Sequence, residues 1–313
     1  MAGPERKHDD AARAAWLAYI GGCKQDEIAQ ILGISRQSAQ RLVSQALAAG
    51  LVKVRIDHPI ARCMELARAL QDRFGLEICE VVPSLDSVQN SGQAVAQATG
   101  DLLERWLLRE EPLVVGLGTG RTLRAAVEHL PHLDCAQHKI VSLTGNISPD
   151  GSTAYYNVLF TIADKISART FPVPLPVITA SAGERTALLG QKTLIGTRAL
   201  SARTNVRFLG VGTMNERAPL VIDGFITPAD QQRLRDKGAV GEIIGYVFDA
   251  EGQLLDDEIN SRVSSALLSP APPGPTIAAA HGPDKVPAIR AALLGKLVNG
   301  LVTDENTAIA LTA

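Results

Sequence analysis

Residues 25–44 read QDEIAQILGISRQSAQRLVS, and this stretch decides what the front of the chain is. Ile28, Ile31 and Leu32 recur at helical spacing and give a first helix one apolar stripe. Gly33 follows, where the tight turn between two helices needs a residue that tolerates positive φ. Ser35 stands at the N-cap of a second helix, its hydroxyl placed to accept an orphan backbone N–H. In that second helix Ala39, Leu42, Val43, Ala46 and Leu47 fall at i, i+3, i+4, i+7 and i+8, which predicts a buried face. Small Ala29 and Ala39 allow the helices to cross closely. Cap, turn glycine and both stripes agree on a helix-turn-helix, the motif that lays its second helix in the DNA major groove.

The groove-facing residues follow from the same 100° arithmetic. Opposite the apolar stripe lie Gln37, Arg41 and Ser44, flanked by Gln40 and Ser38. Gln pairs bidentately with adenine and Arg with guanine, so these are the expected base readers. Arg36, at the helix N-terminus, is placed for a phosphate. Downstream, LVKVRID (51–57) alternates apolar and basic residues, as a short wing strand carrying Lys53 and Arg55 to the DNA backbone would.

Length and charge agree with a small head on a larger body. The chain has 313 residues and net charge −2. Through residue 56 eight Lys/Arg face five Asp/Glu, so the head is +3 and the remainder −5. A mildly basic end on an acidic body suits docking to DNA through that end alone. The four cysteines, Cys23, Cys63, Cys79 and Cys135, have no C-x-x-C spacing and read as ordinary thiols. His129, His132, Asp134, Cys135 and His138 crowd together, but Pro131 interrupts the helix between them, so no metal site is expected. No stretch resembles a signal peptide or a membrane span, and the expectation is a soluble, cytoplasmic protein without cofactor.

Three domains are expected: a winged helix-turn-helix at 1–57, a connecting helix at 58–75, and an effector-binding and oligomerisation body at 76–313. In the head a first helix is expected at 11–20, with Trp16, Leu17 and Ile20 inward. From 76 onward short β-branched runs (80–82, 113–117, 139–143, 176–179, 206–211, 243–249, 276–280, 301–303) alternate with helical stretches. The helices are expected at 94–108, 122–129, 158–170, 186–200, 228–237 and 284–295. Such alternation predicts a Rossmann-like α/β body with a mainly parallel sheet, whose ligand lies beyond the carboxyl ends of the strands.

Three strand ends there carry glycine. Leu117 runs into Gly118-Thr119-Gly120-Arg121-Thr122 and then a helix, an arrangement in which backbone N–H groups, hydroxyls and a guanidinium meet an anion. Gly212-Thr213 and His281-Gly282-Pro283-Asp284-Lys285 repeat the idea, the last with a lysine at a helix start.

These segments, together with GAVGEIIGYVFDAEGQLL and HGPDKVPAIRAALLGKLVNGLVTDENTA, resemble the SorC/DeoR type of bacterial sugar-responsive transcriptional regulators. The resemblance covers nearly the whole chain. It implies an effector domain similar to phosphosugar isomerases and deaminases, double-stranded operator DNA as partner, and a homo-oligomer, dimer or tetramer. It also implies that Gly118–Thr122 and Lys285 grip phosphate or hydroxyls, that Thr213 and Asp249 lie near the sugar, and that Asn157 lines the same pocket. The rival is a sugar-phosphate isomerase- or deaminase-like enzyme with an accessory DNA-binding head. For it Asp223, Glu242, Asp249, Asp256 and Asp257 are candidate carboxylates by type, with no compact acid/base set legible. Arg41→Ala should weaken specific DNA binding by about 1–3 kcal/mol, the worth of one good base contact; unchanged operator affinity in a mobility-shift titration would misplace the recognition face.

Overall fold

The computed structural model describes residues 4–52, 60–153, 157–270, 272 and 274–313. It divides into two compact units, Met1–His58 and Pro59–Ala313. The first holds α1 (Pro4–Tyr19), α2 (Gln25–Leu32) and α3 (Arg36–Ala48). Gly33 ends α2 in the left-handed conformation, φ 64°, and the Ser35 hydroxyl accepts the Ser38 N–H at 3.1 Å to open α3. The Glu27 carboxylate returns to the Lys24 N–H at 2.7 Å and closes the other end of α2. Ala14, Ile28, Ala29 and Ala39 form the core where the three helices meet.

Two inward expectations fail. Trp16 and Ile20 are 61% and 71% exposed, whereas Ala11, Ala14 and Ala15 are buried. The alanine stripe of α1 packs closely on α2 and α3, so it turns in around Ile28 while Trp16 and Ile20 turn out. Ile31 and Leu47 are likewise exposed, at the margins of their stripes. The proposed wing residues Lys53 and Arg55 lie outside the described residues.

The second unit starts with α4 (Ala61–Phe74), which buries Cys63, Leu66 and Leu70 against the strand and C-terminal helix described next. The strands are β1 (Ile78–Val82), β2 (Val114–Leu117), β3 (Lys139–Ser142), β4 (Arg169–Phe171), β5 (Val206–Gly210), β6 (Gly212–Thr213), β7 (Gly241–Ile243), β8 (Tyr246–Phe248), β9 (Thr276–Ala279) and β10 (Gly300–Asp304). Between them run α5 (Val88–Leu107), α6 (Arg121–His129), α7 (Val158–Ala163), α8 (Ala182–Leu189), α9 (Lys192–Ser201), α10 (Pro219–Ile222), α11 (Pro228–Asp236), α12 (Glu258–Arg262), α13 (Val286–Leu294) and the final α14 (Glu305–Thr312).

Seven strands form one parallel sheet in the order β1-β10-β9-β5-β2-β3-β4. From β2 the chain first moves outward through β3 to β4, then returns to the other side of β2 as β5 and continues to β9 and β10. The direction of winding therefore reverses between β2 and β5. Separate apolar clusters pack against the sheet, one including Leu209, Ala278 and Leu301, the other Val115, Phe208 and Val302. Adjacent residues of β5 thus point to opposite clusters, as a strand covered on both faces requires.

Several expected elements change. The 158–170 helix stops at Ala163, and Arg169–Phe171 joins β3 as the sheet edge. The 186–200 helix is two, α8 and α9, separated at Gly190-Gln191. Residues 176–179 make only isolated bridges. The 243–249 strand is a hairpin: Ile243 pairs with Tyr246 across Ile244 and Gly245, both at positive φ. That is the two-residue turn that favours Asn-Gly, and a β-branched Ile in it hides the turn from a pattern search.

A buried carboxylate ties α11 to α12. Asp257, its side chain 1% exposed, accepts from Lys237 Nζ at 2.7 Å, from Arg233, and from the Ile259 N–H at 3.0 Å. Burial alone would raise its pKa, but the two cations outweigh it and hold the carboxyl at about 2. Both cations reach solvent, so screening reduces the benefit. Asp257→Asn should cost about 1–2 kcal/mol in urea unfolding at neutral pH. The folded pKa is depressed, so the difference should be full above about pH 4 and disappear as the pH falls through about 2.

Candidate functional site

The reversal between β2 and β5 opens a crevice at their carboxyl ends, where open α/β sheets bind ligands. Gly118 continues β2, its N–H bonded to the Phe208 carbonyl at 2.8 Å, so it extends the ladder and is spent as a donor. Beyond it Thr119, Gly120, Arg121 and Thr122 line a cavity of about 100 Å³, joined by Gly210–Gly212 after β5, Glu242 and Ile244 of the hairpin, Asp223, and Lys285. A second cavity of about 710 Å³ shares Arg121, Thr122, Pro219 and Lys285 with the first and adds Thr213, Asn215, Arg217, His281 and Asp284. The two are adjoining parts of one cleft, narrow inside and wide outside.

Charge is the defining property of the inner part. Arg121 and Lys285 line it with Asp223 and Glu242, and among the described residues no ion pair joins any of the four. Burial pushes the Glu242 carboxyl up; the Gly245 N–H, donated to it at 2.9 Å, and the neighbouring Lys285 pull it back. Burial lowers Lys285, with Glu242 opposing and Arg121 reinforcing the fall. Burial also raises Asp223 against the pull of Arg121. Such groups, held near one another in a partly desolvated cleft without closing into pairs, retain donors and acceptors for a guest.

The outer part is more cationic: Arg121, Arg217 and Lys285 face Asp284. It lies at the start of α6, whose first N–H groups have no partner within the helix. Among the described residues His281 Nδ1 is buried there without a hydrogen-bond partner, and burial followed by Lys285 lowers the imidazole pKa, favouring the neutral ring. The Thr213 hydroxyl donates to Asn215 Oδ1 at 3.0 Å, and the same oxygen accepts the Arg217 N–H at 2.9 Å.

The structure thus brings together Thr119, Gly120, Arg121, Thr122, Thr213 and Lys285 from the expected set. It does not bring Asp249 or Asn157. Asp249 Oδ1 accepts the N–H groups of Glu251 and Gln253 at 3.1 and 2.8 Å, holding the turn after β8. Asn157 begins α7, and its carbonyl accepts from the Thr161 hydroxyl at 3.1 Å. Neither lines the cleft. Conversely, Asp223 and Glu242 were legible only as carboxylates by type. For Glu242 the signal was glycine: Gly212 stands directly opposite it in the β6–β7 pair, and a Cβ there would overlap Glu242 Oε1.

In the first unit Gln37, Gln40, Arg41 and Ser44 are exposed on α3. Ser38 is half-buried and takes the Ser35 hydroxyl at 2.9 Å, so it belongs to the cap. Arg36 meets Asp26 at 3.4 Å, with both side chains mostly exposed; a pair this wet yields readily to a phosphate. The His129–His138 cluster is structural where it is buried: His138 Nδ1 accepts the Leu113 N–H at 3.1 Å, leaving Nε2–H for the Leu107 carbonyl. Among the described residues no group of His, Cys, Asp and Glu is arranged to hold a metal, and no helix is long and apolar enough to cross a membrane.

Comparison with known proteins places both units. Residues 58–313 match the model of a sugar-binding domain and residues 14–59 that of the MarR family. The erythritol catabolism regulatory protein EryD of Brucella abortus is 34% identical over 301 residues, covering 96% of this chain and 95% of that one. The transcriptional regulator LsrR of an Enterobacter strain is 32% identical over 311 residues, 96% and 92% of the two chains. The full-length sorbitol operon regulator SorC of Klebsiella pneumoniae has the same fold, with TM-score 0.72 at 24% identity over 98% of this chain and 100% of that one. All three are named as regulators.

Gly212→Ala should expel the Glu242 carboxylate from its place beneath the cleft. In thermal-shift titrations against sugars and polyols the affinity of the cleft should fall at least tenfold, while the Arg41 face is untouched; an unchanged midpoint for a ligand that binds wild type would remove Glu242 from the site.

Proposed function

This chain belongs to the SorC/DeoR-type family of sugar-binding transcriptional regulators, and on that premise we propose that it switches operator binding in response to a short polyhydroxylated effector. The observation that carries the reading is the cleft at the β2–β5 reversal, with two cations and two carboxylates facing its narrow end. Hydroxyl groups are both donors and acceptors, so a polyol satisfies Asp223 and Glu242 as well as Arg121 and Lys285. A cavity of about 100 Å³ selects a chain of few carbons, since drug-sized ligands take roughly 300–1,000 Å³. The more cationic outer cleft, with Arg217 and the start of α6, suits a phosphate on the other end of that molecule. EryD's name associates that relative with a four-carbon polyol, which fits the inner dimensions.

The DNA reading rests on α3. Gln37, Gln40, Arg41 and Ser44 read base edges, Arg36 exchanges Asp26 for a phosphate, and Lys53 and Arg55 hold the backbone from a wing. A homo-oligomer, dimer or tetramer, presents two such helices to a palindromic operator. We take the body to share the binding scaffold of phosphosugar isomerases, put here to regulatory use. Switching requires only that the effector bind the DNA-competent and incompetent arrangements with different affinity.

A thermal-shift screen against free polyols and their phosphates tests this reading. Stabilisation by short phosphorylated polyols is expected; stabilisation by the free pool alone would mean that the outer cations hold hydroxyls, and stabilisation by neither would sink the assignment. Lys285→Ala should leave operator affinity without effector unchanged and weaken the effector response at least tenfold, read as the effector concentration that half-shifts an operator complex.

A further inference from the structure

A different cavity, of about 440 Å³, lies between α8, α9, the end of β3 and residues 264–269. Arg185 of α8, Arg198 of α9 and Arg207 of β5 all line it, and no Asp or Glu does. Among the described residues none of these arginines makes an ion pair. Each is instead held by neutral oxygens. Arg185 Nε donates to the Val263 carbonyl at 2.5 Å and Arg198 Nη1 to the Leu189 carbonyl at 3.0 Å. Arg207 Nε donates to Thr204 Oγ1 at 2.7 Å and its Nη2 to the Ser201 carbonyl at 3.1 Å. A guanidinium has five N–H donors, so every one of the three keeps donors in reserve.

We propose that this cavity is a second anion site, separate from the effector cleft, that takes a small doubly charged oxyanion of the phosphate class. Three guanidinium groups line one recess, and among the described residues Arg207 is half-buried with no carboxylate to compensate it. Burial holds its guanidinium below the ordinary value. A multiply charged guest pairs with all three at once, and the fork geometry of arginine matches phosphate oxygens bidentately. The walls fix the size: Val173, Leu189 and Leu194 are buried and apolar, and Ser264 and Ser265 are buried with their hydroxyls already donated within the protein. The site is also distinct from the effector cleft. None of its lining residues is shared with that cleft, and the Ser264 N–H bonded to the Val177 carbonyl at 3.0 Å stands between them.

The test uses the full chain and inorganic phosphate, titrated calorimetrically into an Arg121→Ala, Arg217→Ala, Lys285→Ala background that removes the cations of the effector cleft. One saturable phosphate site is expected to remain, competed by sulfate and not by chloride. Adding Arg198→Gln, a change at an exposed position that leaves the fold intact, should weaken it at least tenfold; Arg207→Lys, which keeps the charge and loses the fork, should weaken it less than Arg207→Met. Absence of a saturable site in that background would overturn the proposal, as would indifference to Arg198→Gln. If Arg198→Gln instead changes the sedimentation coefficient and phosphate does not bind, the arginines meet an acidic surface of another copy and the small-anion site is wrong.

Discussion

The parallel ladder between β2 and β5 is the constraint on which the rest of the body depends. Val115, Gly116 and Leu117 pair with Val206, Arg207 and Phe208, although the chain has meanwhile travelled out to β4 and back. Because β3 leaves β2 on one side and β5 arrives on the other, their following loops separate and no crossover covers the crevice between them. Thr119–Thr122 and Gly210–Gly212 therefore face each other across a gap that the sheet itself holds open. Gly118 locks the geometry by extending the ladder one residue beyond β2.

Into that gap the small β6–β7–β8 sheet delivers Glu242, and α13's leading turn delivers Lys285. Their charges are near enough to influence each other but are not joined in an ion pair. A closed buried pair would satisfy itself and offer little to a guest; charges kept apart by main-chain geometry stay receptive. The cost falls on the backbone. Gly212 surrenders its side chain so that Glu242 fits, and Ile244 sits at φ 46°, a conformation unfavourable to a β-branched residue, where it floors the cavity.

The head obeys a simpler rule. Its core is built on alanine, so three short helices approach closely and the turn at Gly33 can be tight. Close approach leaves α3 with a broad exposed face for its polar residues, and it also leaves Trp16, Ile20 and Ile31 in solvent, where a larger core would have absorbed them. Size alone is thus a poor guide to which residues of a small helical unit turn inward.

The helix-turn-helix was legible because every signal it needs is local. A cap bonds to an N–H three residues away, a turn glycine answers to its own φ, and helical periodicity repeats within a few residues. The parallel α/β body was legible for the same reason, and so were the glycine-bearing strand ends. The hairpin at Ile244-Gly245 was not, since the turn carries a residue that ordinarily marks a strand. Nor was the composition of the cleft. Asp249, assigned by resemblance, holds its own turn and Asn157 lines neither part of the cleft, while Asp223 and Glu242 reach the cleft only because strand pairing draws together segments more than a hundred residues from Arg121. By itself the sequence determined the helices of the head, the alternation of strand and helix in the body, and which strand ends carry glycine beside Arg121 and Lys285. Which carboxylates meet those donors was decided by the tertiary structure, because that depends on strand order, a property of the whole sheet that no local stretch of chain encodes.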